Sequence, residues 1–470
     1  MKKHNYAVLL LAVMVLLPSL QLSLLQAQDE QVDELFTTWN SSQTPGAAVA
    51  VVKNGAIIYK NAYGMANLEY DIPVSTTSIF HIASVSKQFT VFSILLLQSE
   101  GKLNLDDDIR KYIPEVPDFG NPITLRHLAS HTSGLRDQWT LLSMAGWRMD
   151  DVITKEHILK LVSKQKDLNF LPGDEFMYCN TGFTLLAEVV ARVSGNSFAE
   201  YTKAKIFEPL QMNHTLFYDD HEKIVKNRTY SYYLDFTGFK KSVLNYANVG
   251  ATSLFTTVED LSLWALNFSE IKIGNAEIFT TMNTPAVLNN GKEIEGALGQ
   301  VVGKYKGLNE ISHGGGDAGF RSYLTRFPDQ EFAVIVFSNS ATFNAGGIAH
   351  QIADIYLKEQ IETELKDDEE KTEDIDEPFD ETSVNLSDFT GLFYSDELST
   401  AYEFKVQGDK LVAQHSRLSD INLVPFKKDA FSGSAWFFSQ IEFIRDTDNT
   451  ITGCKVSSER VRNLNFSKMD

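Results

Sequence analysis

Residues 80–90 read FHIASVSKQFT. From Ser84 onward the apolar residues change period. Val85, Phe89, Phe92 and the run Ile94–Leu97 give a helix that is apolar nearly all round and therefore buried, and Gly101 supplies its left-handed stop. Ser84 and Lys87 stand three apart, on one face at the start of that helix. Two readings follow. In the first, Ser84 caps the helix and Lys87 snorkels to solvent. In the second, Lys87 is disfavoured as a cation by apolar surroundings and acts as a base for a nucleophilic Ser84, whose developing oxyanion is met by the free N–H groups of the helix start. S-x-x-K spacing alone does not choose. It recurs at Ser99/Lys102, Ser163/Lys166 and Ser269/Lys272, but only the first instance opens a buried helix.

Strand patterns lie upstream and far downstream of this helix. PGAAVAVVKNGAIIYKNAYG (45–64) is a hairpin around Asn54-Gly55, and GFRSYLTRFPDQEFAVIVFSNS (319–340) holds two strands around Pro328-Asp329-Gln330. GGIAHQIADIYLKEQI (346–361) reads as a closing helix, and helical and loop patterns fill the interval up to about residue 270. The expected fold class is α+β: an antiparallel sheet built from both ends of a domain spanning 28–360, flanked by helices, with an inserted helical region. Residues 361–384 read as an acidic, solvated linker, and 385–470 as a small all-β, barrel-like module with a Gly408-Asp409 turn and a hairpin around RDTDNTITG (445–453).

The chain has 470 residues and a net charge of −20. Residues 362–381 hold twelve acids against Lys366 and Lys371, a net of ten negatives, so the remainder is only mildly acidic. That balance argues against a nucleic-acid partner, whose phosphates call for clustered Lys and Arg. Lys2 and Lys3, the apolar run Ala7–Leu17, Pro18 and the small Ala27 form a signal peptide over 1–27, which implies a secreted or periplasmic protein with no integral membrane segment once it is removed. Cys179 and Cys454 fall in different expected domains and read as two free buried thiols. No Cys/His cluster has zinc spacing.

Further segments follow FHIASVSKQFT in order: GKLNLDDDIRKYIPEVP (101–117), ITLRHLASHTSGLRD (123–137), LPGDEFMYCNTGFTLLAEVV (171–190) with a Tyr-x-Asn, and ISHGGGDAGF (311–320) with a His-x-Gly. Together, from about residue 30 to 360, they resemble the serine β-lactamase and penicillin-binding protein superfamily. The likeness is greatest to its class C-like branch of D-Ala-D-Ala carboxypeptidases, D-aminopeptidases and β-lactamase-like esterases. The resemblance implies Ser84 as nucleophile, Lys87 as its base and Tyr178 as proton shuttle, the phenol being lowered in pKa by nearby cations. It implies Asn180 as a contact to both substrate amide and Lys87. His313, at a place where many β-lactamases carry lysine, is expected as a neutral hydrogen-bond donor, which disfavours efficient β-lactam hydrolysis. Gly315 and Gly316 are expected to let the strand approach substrate, with the Gly316 N–H as second oxyanion donor.

No metal or cofactor is implied. The implied partner is a small-molecule or peptide substrate with a D-amino-acid-like acyl group, such as a cell-wall stem peptide. Two alternatives stay open: an esterase or β-lactamase on the same machinery, and a penicillin-binding receptor that acylates without turnover. Tyr246/Asn248, a second Tyr-x-Asn, ranks behind Tyr178/Asn180 because it lacks the preceding Pro-Gly and the following apolar helix. Arg136 and Arg321 read as structural or solvated before they read as carboxylate binders, and HTSG (131–134) as shaping the domain.

Overall fold

The computed structural model describes residues 27–361 and 384–469. Residues 1–26 of the expected signal peptide and 362–383 of the expected acidic linker lie outside the described residues. Strands β1 (Ala47–Lys53) and β2 (Ala56–Tyr63) form the first hairpin, with Asn54 and Gly55 both at positive φ (49° and 78°), as a two-residue turn of this hand requires. Four later strands complete the sheet: β3 (Val301–Tyr305), β4 (Leu308–Asp317), β5 (Phe320–Phe327) and β6 (Phe332–Ser338). Their order is β3-β4-β5-β6-β1-β2, antiparallel throughout, with Ala47 opposite Ser338 and Lys53 opposite Phe332. The first and last strands of the domain are thus neighbours.

β1 is buried on both faces, and its side chains alternate between two cores. Ala48, Ala50 and Val52 face the large helical core, whereas Ala47, Val49 and Val51 face Val32, Phe36 and the closing helix. That helix runs Ala345–Tyr356, stopping short of the expected 361 in a turn at 357–361.

The helix in the opening stretch, α1 (Lys87–Ser99), is buried along nearly its whole length. It ends as expected: Gly101 has φ 69°, and Lys102 donates to the Leu97 carbonyl. Its start differs from expectation. A 3₁₀ turn, Ala83–Ser86, precedes it, and no side chain caps it. Ser84 is therefore not the N-cap, and Ala83, just before it, sits at φ 47°, a left-handed conformation uncommon for a residue with a side chain. α1 packs against α2 (Asn180–Ser194). Phe80–His81 pairs with Leu254–Thr256, which brings Ala251 and Thr252 beside the 3₁₀ turn.

The C-terminal module is a closed barrel of eight antiparallel strands, from Gly391–Ser395 to Val461–Lys468, with Gly408 at φ 64° in the expected turn. It docks on the helical side of the first domain through a buried ion pair. Arg136 Nη1 donates to Glu397 Oε2 at 2.8 Å, with side chains only 1 % and 2 % exposed, and Nη2 donates to the carbonyls of Arg462 and Asn463. Arg136 is thus a structural arginine. Tyr402 adds a hydrogen bond from its hydroxyl to the Met144 carbonyl, and Arg462 pairs with Glu175. Both cysteines are free and buried.

Candidate active site

Lys87 lies beneath Ser84 with no solvent exposure. Its Nζ donates to three acceptors: Ser84 Oγ at 3.0 Å, Asn180 Oδ1 at 2.9 Å and the Ala251 carbonyl at 2.7 Å. Burial pulls its pKa from 10.5 down to about 7, against the opposing pull of Asp137 and Asp317. Near neutral pH a large fraction of this amine is unprotonated and already in contact with a hydroxyl, which is the arrangement a general base needs.

Asn180 is oriented by a residue that the sequence reading did not single out. Asp137 Oδ2 accepts from both the Asn180 backbone N–H (2.7 Å) and its Nδ2 (2.8 Å), so Oδ1 faces the ammonium. Asp137 is also the N-cap of the helix Gln138–Met144, accepting from Trp139 N–H. An Asp directly before a helix start is the one local signal that marked it.

Tyr178 stands over the same point. Its ring centroid is 4.9 Å from Lys87 Nζ and stacks on His131 at 4.2 Å. His131 Nδ1 accepts from the Cys179 N–H at 3.0 Å, so HTSG shapes the site directly by holding this segment. Contrary to expectation, the Tyr178 phenol is not lowered in pKa. Burial pushes it up, and the neighbouring Ser84 hydroxyl and Arg460 charge offset only part of that. Tyr178 therefore stays protonated at neutral pH and is suited to give a proton rather than to take one.

His313 is buried, 6.4 Å from Tyr178 between ring centroids, and is not among the residues lining the cavity. Its Nδ1 lies 2.6 Å from the Gly314 carbonyl, an atom that can only accept, so Nδ1 carries the proton. Burial and Lys87 hold its pKa down to about 4, so the ring is neutral, as expected. Its one hydrogen bond is donated to the Gly314 carbonyl, and the remaining nitrogen, Nε2, is an acceptor.

The two glycines also divide differently from expectation. A Cβ on Gly315 would overlap the Ile82 carbonyl and the Ser322 hydroxyl, so Gly315 lets β4 close on the turn that carries Ser84, not on substrate. Gly316 does line the cavity.

The cavity measures about 520 Å³ and is lined by Ser84, Tyr178, Asn180 and Gly316 together with Trp139, Tyr246, Asp317, Arg321 and Arg460. Asp317 was not singled out in the sequence. It accepts from Thr252 Oγ1 at 2.7 Å, and burial raises its pKa from 3.8 to about 6. Tyr246, ranked behind Tyr178, shares the cavity and stacks on Trp139 at 4.6 Å, while Asn248 is fully buried with no partner for its amide. Arg321 Nη1 donates to the Ala318 and Phe320 carbonyls. Among the described residues, no group of His, Cys, Asp or Glu could hold a metal ion, and no helix is long and apolar enough to cross a membrane.

Comparison with known proteins adds the following. The family profile described as Beta-lactamase matches residues 26–357. A D-aminopeptidase of Gluconobacter oxydans is 27% identical over 296 residues, which is 63% of this chain and 56% of that protein, so the chain spans little more than half the length of that relative. Penicillin-binding protein 4* of Bacillus subtilis is 28% identical over 334 residues, covering 67% of this chain and 72% of its own. In fold, the chain is similar to the octameric penicillin-binding protein homologue of Pyrococcus abyssi, with TM-score 0.63 and 24% identity over 94% of this chain and 99% of that one.

Proposed function

This chain belongs to the beta-lactamase family, and from that premise we propose that it is an exported serine hydrolase of the β-lactamase/DD-peptidase type that works through an acyl-enzyme on Ser84. The observation that carries the reading is the buried Lys87 amine, 3.0 Å from Ser84 Oγ and poised near neutrality. Ser84 Oγ attacks the substrate carbonyl while its proton passes to Lys87 Nζ. The resulting oxyanion is stabilised by the N–H groups of Ser84 and Gly316. Collapse breaks the bond to the leaving group, which takes a proton from the Tyr178 hydroxyl. The Lys87 ammonium, 4.9 Å from that ring, is the source that restores it. Water then attacks the acyl ester and frees Ser84.

The substrate class is a peptide or ester with a D-amino-acid-like acyl group. The names of the relatives support this, as does the absence of a fixed cation at His313. The site residues are Ser84, Lys87 and Tyr178 for the chemistry and Asn180 and Gly316 around the substrate, with His313 and Gly315 behind them, Gly315 letting β4 close on the Ser84 turn. The test is mass spectrometry after fluorophosphonate or β-lactam treatment. A single adduct on Ser84 that is lost in Ser84→Ala is expected, and an adduct on any other serine removes the assignment. Parallel turnover of a D-Ala-D-Ala peptide, a D-amino-acid amide and a short-chain ester then ranks the substrates.

A further inference from the structure

The hairpin formed by the last two barrel strands, Ile451–Ser458 and Val461–Lys468, carries Arg460 at its turn, and Arg460 lines the same cavity as Ser84 and Tyr178. Its carbonyl is pinned by the Asp137 N–H (3.2 Å) and by Asn169 Nδ2 (3.0 Å), so the turn is seated against the first domain. Its side chain is not similarly committed. Arg462, two residues on, forms a two-pronged pair with Glu175, and Arg136 is paired with Glu397. For Arg460, the only carboxylate within salt-bridge reach among the described residues is that of the exposed Glu459, at 3.7 Å. Its Nε is buried without a hydrogen-bond partner.

The guanidinium lies 5.1 Å from the centroid of the Tyr178 ring. A planar cation held in place, with donors left over and facing a cavity, is the chemistry that recognises a carboxylate. The other cavity arginine is less free, since Arg321 donates to two backbone carbonyls and has Asp317 beside it. Tyr178 also marks the side of the cavity. It is the proton donor to the departing group, so an anion drawn to Arg460 belongs to the leaving-group half of the substrate.

We propose that Arg460 is a specificity-determining residue through which the barrel selects substrates carrying a carboxylate on the leaving-group side of the scissile bond. The proposal rests on the reading that substrate is cleaved in this cavity, and it deepens that reading by naming the leaving-group chemistry. It is tested on full-length Ser84→Ala protein, which binds without turning over, by calorimetric titration with N-acetyl-D-alanyl-D-alanine and with its C-terminal carboxamide. The acid is expected to bind roughly 10- to 100-fold more tightly than the amide, the range of a hydrogen bond to a charged group. The preference disappears in Ser84→Ala/Arg460→Ala, survives in part in Ser84→Ala/Arg460→Lys and inverts in Ser84→Ala/Arg460→Glu. Equal affinities, no saturable binding of the acid, or a preference that survives Arg460→Ala but is lost in Arg321→Ala overturns it. Fluorophosphonate labelling of Ser84 in otherwise unaltered protein reports the acyl-enzyme reading separately, so one can fail while the other stands.

Discussion

If Lys87 is the base that activates Ser84, the acylation rate follows the neutral fraction of one buried amine. A lysine at its ordinary pKa of 10.5 is only about 0.03% neutral at pH 7. With the folded value near 7, about 9% is neutral at pH 6 and about 91% at pH 8. The difference corresponds to roughly 5 kcal/mol in favour of the uncharged form, and its main cause is burial. The second-order rate of Ser84 labelling by a neutral fluorophosphonate, measured from pH 5.5 to 9.5, should therefore rise with unit logarithmic slope, gain about 10-fold between pH 6 and 8, and level off above pH 8. Neighbouring groups must not be mistaken for it. His313 near 4 stays neutral throughout, and Tyr178 stays protonated. Asp317 near 6 does fall in the window, so the Asp317→Asn protein is measured alongside; it should keep a single inflection, moved below pH 7 because the Asp317 charge that favours the Lys87 ammonium is gone. A rate still climbing at pH 9.5, or an inflection that vanishes with Asp317→Asn, refutes the assignment of the base.

Four other outcomes follow from the geometry. Asp137→Asn removes the carboxylate that orients Asn180, so kcat should fall by about 10- to 100-fold, with a loss of stability of about 1–3 kcal/mol by urea titration. Glu397→Ala leaves Arg136 charged and buried, and the barrel interface should lose about 3–5 kcal/mol, seen as a separate, earlier unfolding transition. Gly315→Ala forces β4 off the Ile82–Ala83 turn; about 1–3 kcal/mol of destabilisation is expected, with slower Ser84 labelling even in the folded fraction. Asp317 binds its proton more tightly when folded (about 6) than unfolded (3.8), so its contribution to stability is full below pH 3.8 and is lost as pH rises through 6. Asp317→Asn should accordingly gain up to about 3 kcal/mol relative to its parent between pH 4 and 7, read from melting curves at both pH values.

What the sequence made legible is what short-range physics fixes. Asn54-Gly55 demands a hairpin of one hand, Gly101 ends a helix because it reaches positive φ without strain, and Gly408 marks a turn. The sheet closing across the chain followed from β patterns at both ends and none in the middle. The Ser84 turn was less legible: the apolar run located the helix, but the strained Ala83 and the 3₁₀ segment depend on β4 and on Leu254 packing from outside. Residues whose work is set by distant partners gave little or no local signal. Asp137 acts on Asn180 43 residues away, Asp317 looks like one more turn residue, and Arg460 sits in a module that carries no recognisable catalytic cluster. The phenol of Tyr178 runs against expectation because its pKa depends on burial and on single neighbours, neither of which is encoded in residue type.

Arg136 and Asp137 show why the barrel and the reaction centre cannot be treated as independent parts. The Arg136 side chain holds Glu397 and two carbonyls of the barrel, while its own carbonyl accepts from the Thr181 hydroxyl beside Asn180. Asp137 donates its N–H to the Arg460 carbonyl, and its carboxylate accepts twice from Asn180. Asn180 in turn accepts from Lys87, and Lys87 donates to Ser84. An unbroken hydrogen-bonded path therefore runs from the barrel turn to the nucleophile, and its middle links, from Asp137 through Asn180 to Lys87, are buried. Shifting the turn by even an ångström lengthens the first of these bonds and rotates Asp137, which frees the Asn180 amide to turn its Nδ2 toward Lys87. An amide donor facing the amine would disfavour its protonated form and lower its pKa further. Loosening the barrel with Glu397→Ala should thus move the labelling inflection below pH 7 as well as weaken the interface. An unchanged inflection in a protein whose barrel has demonstrably come loose would mean that the path transmits nothing, and that the barrel acts on the cavity only through the side chain of Arg460.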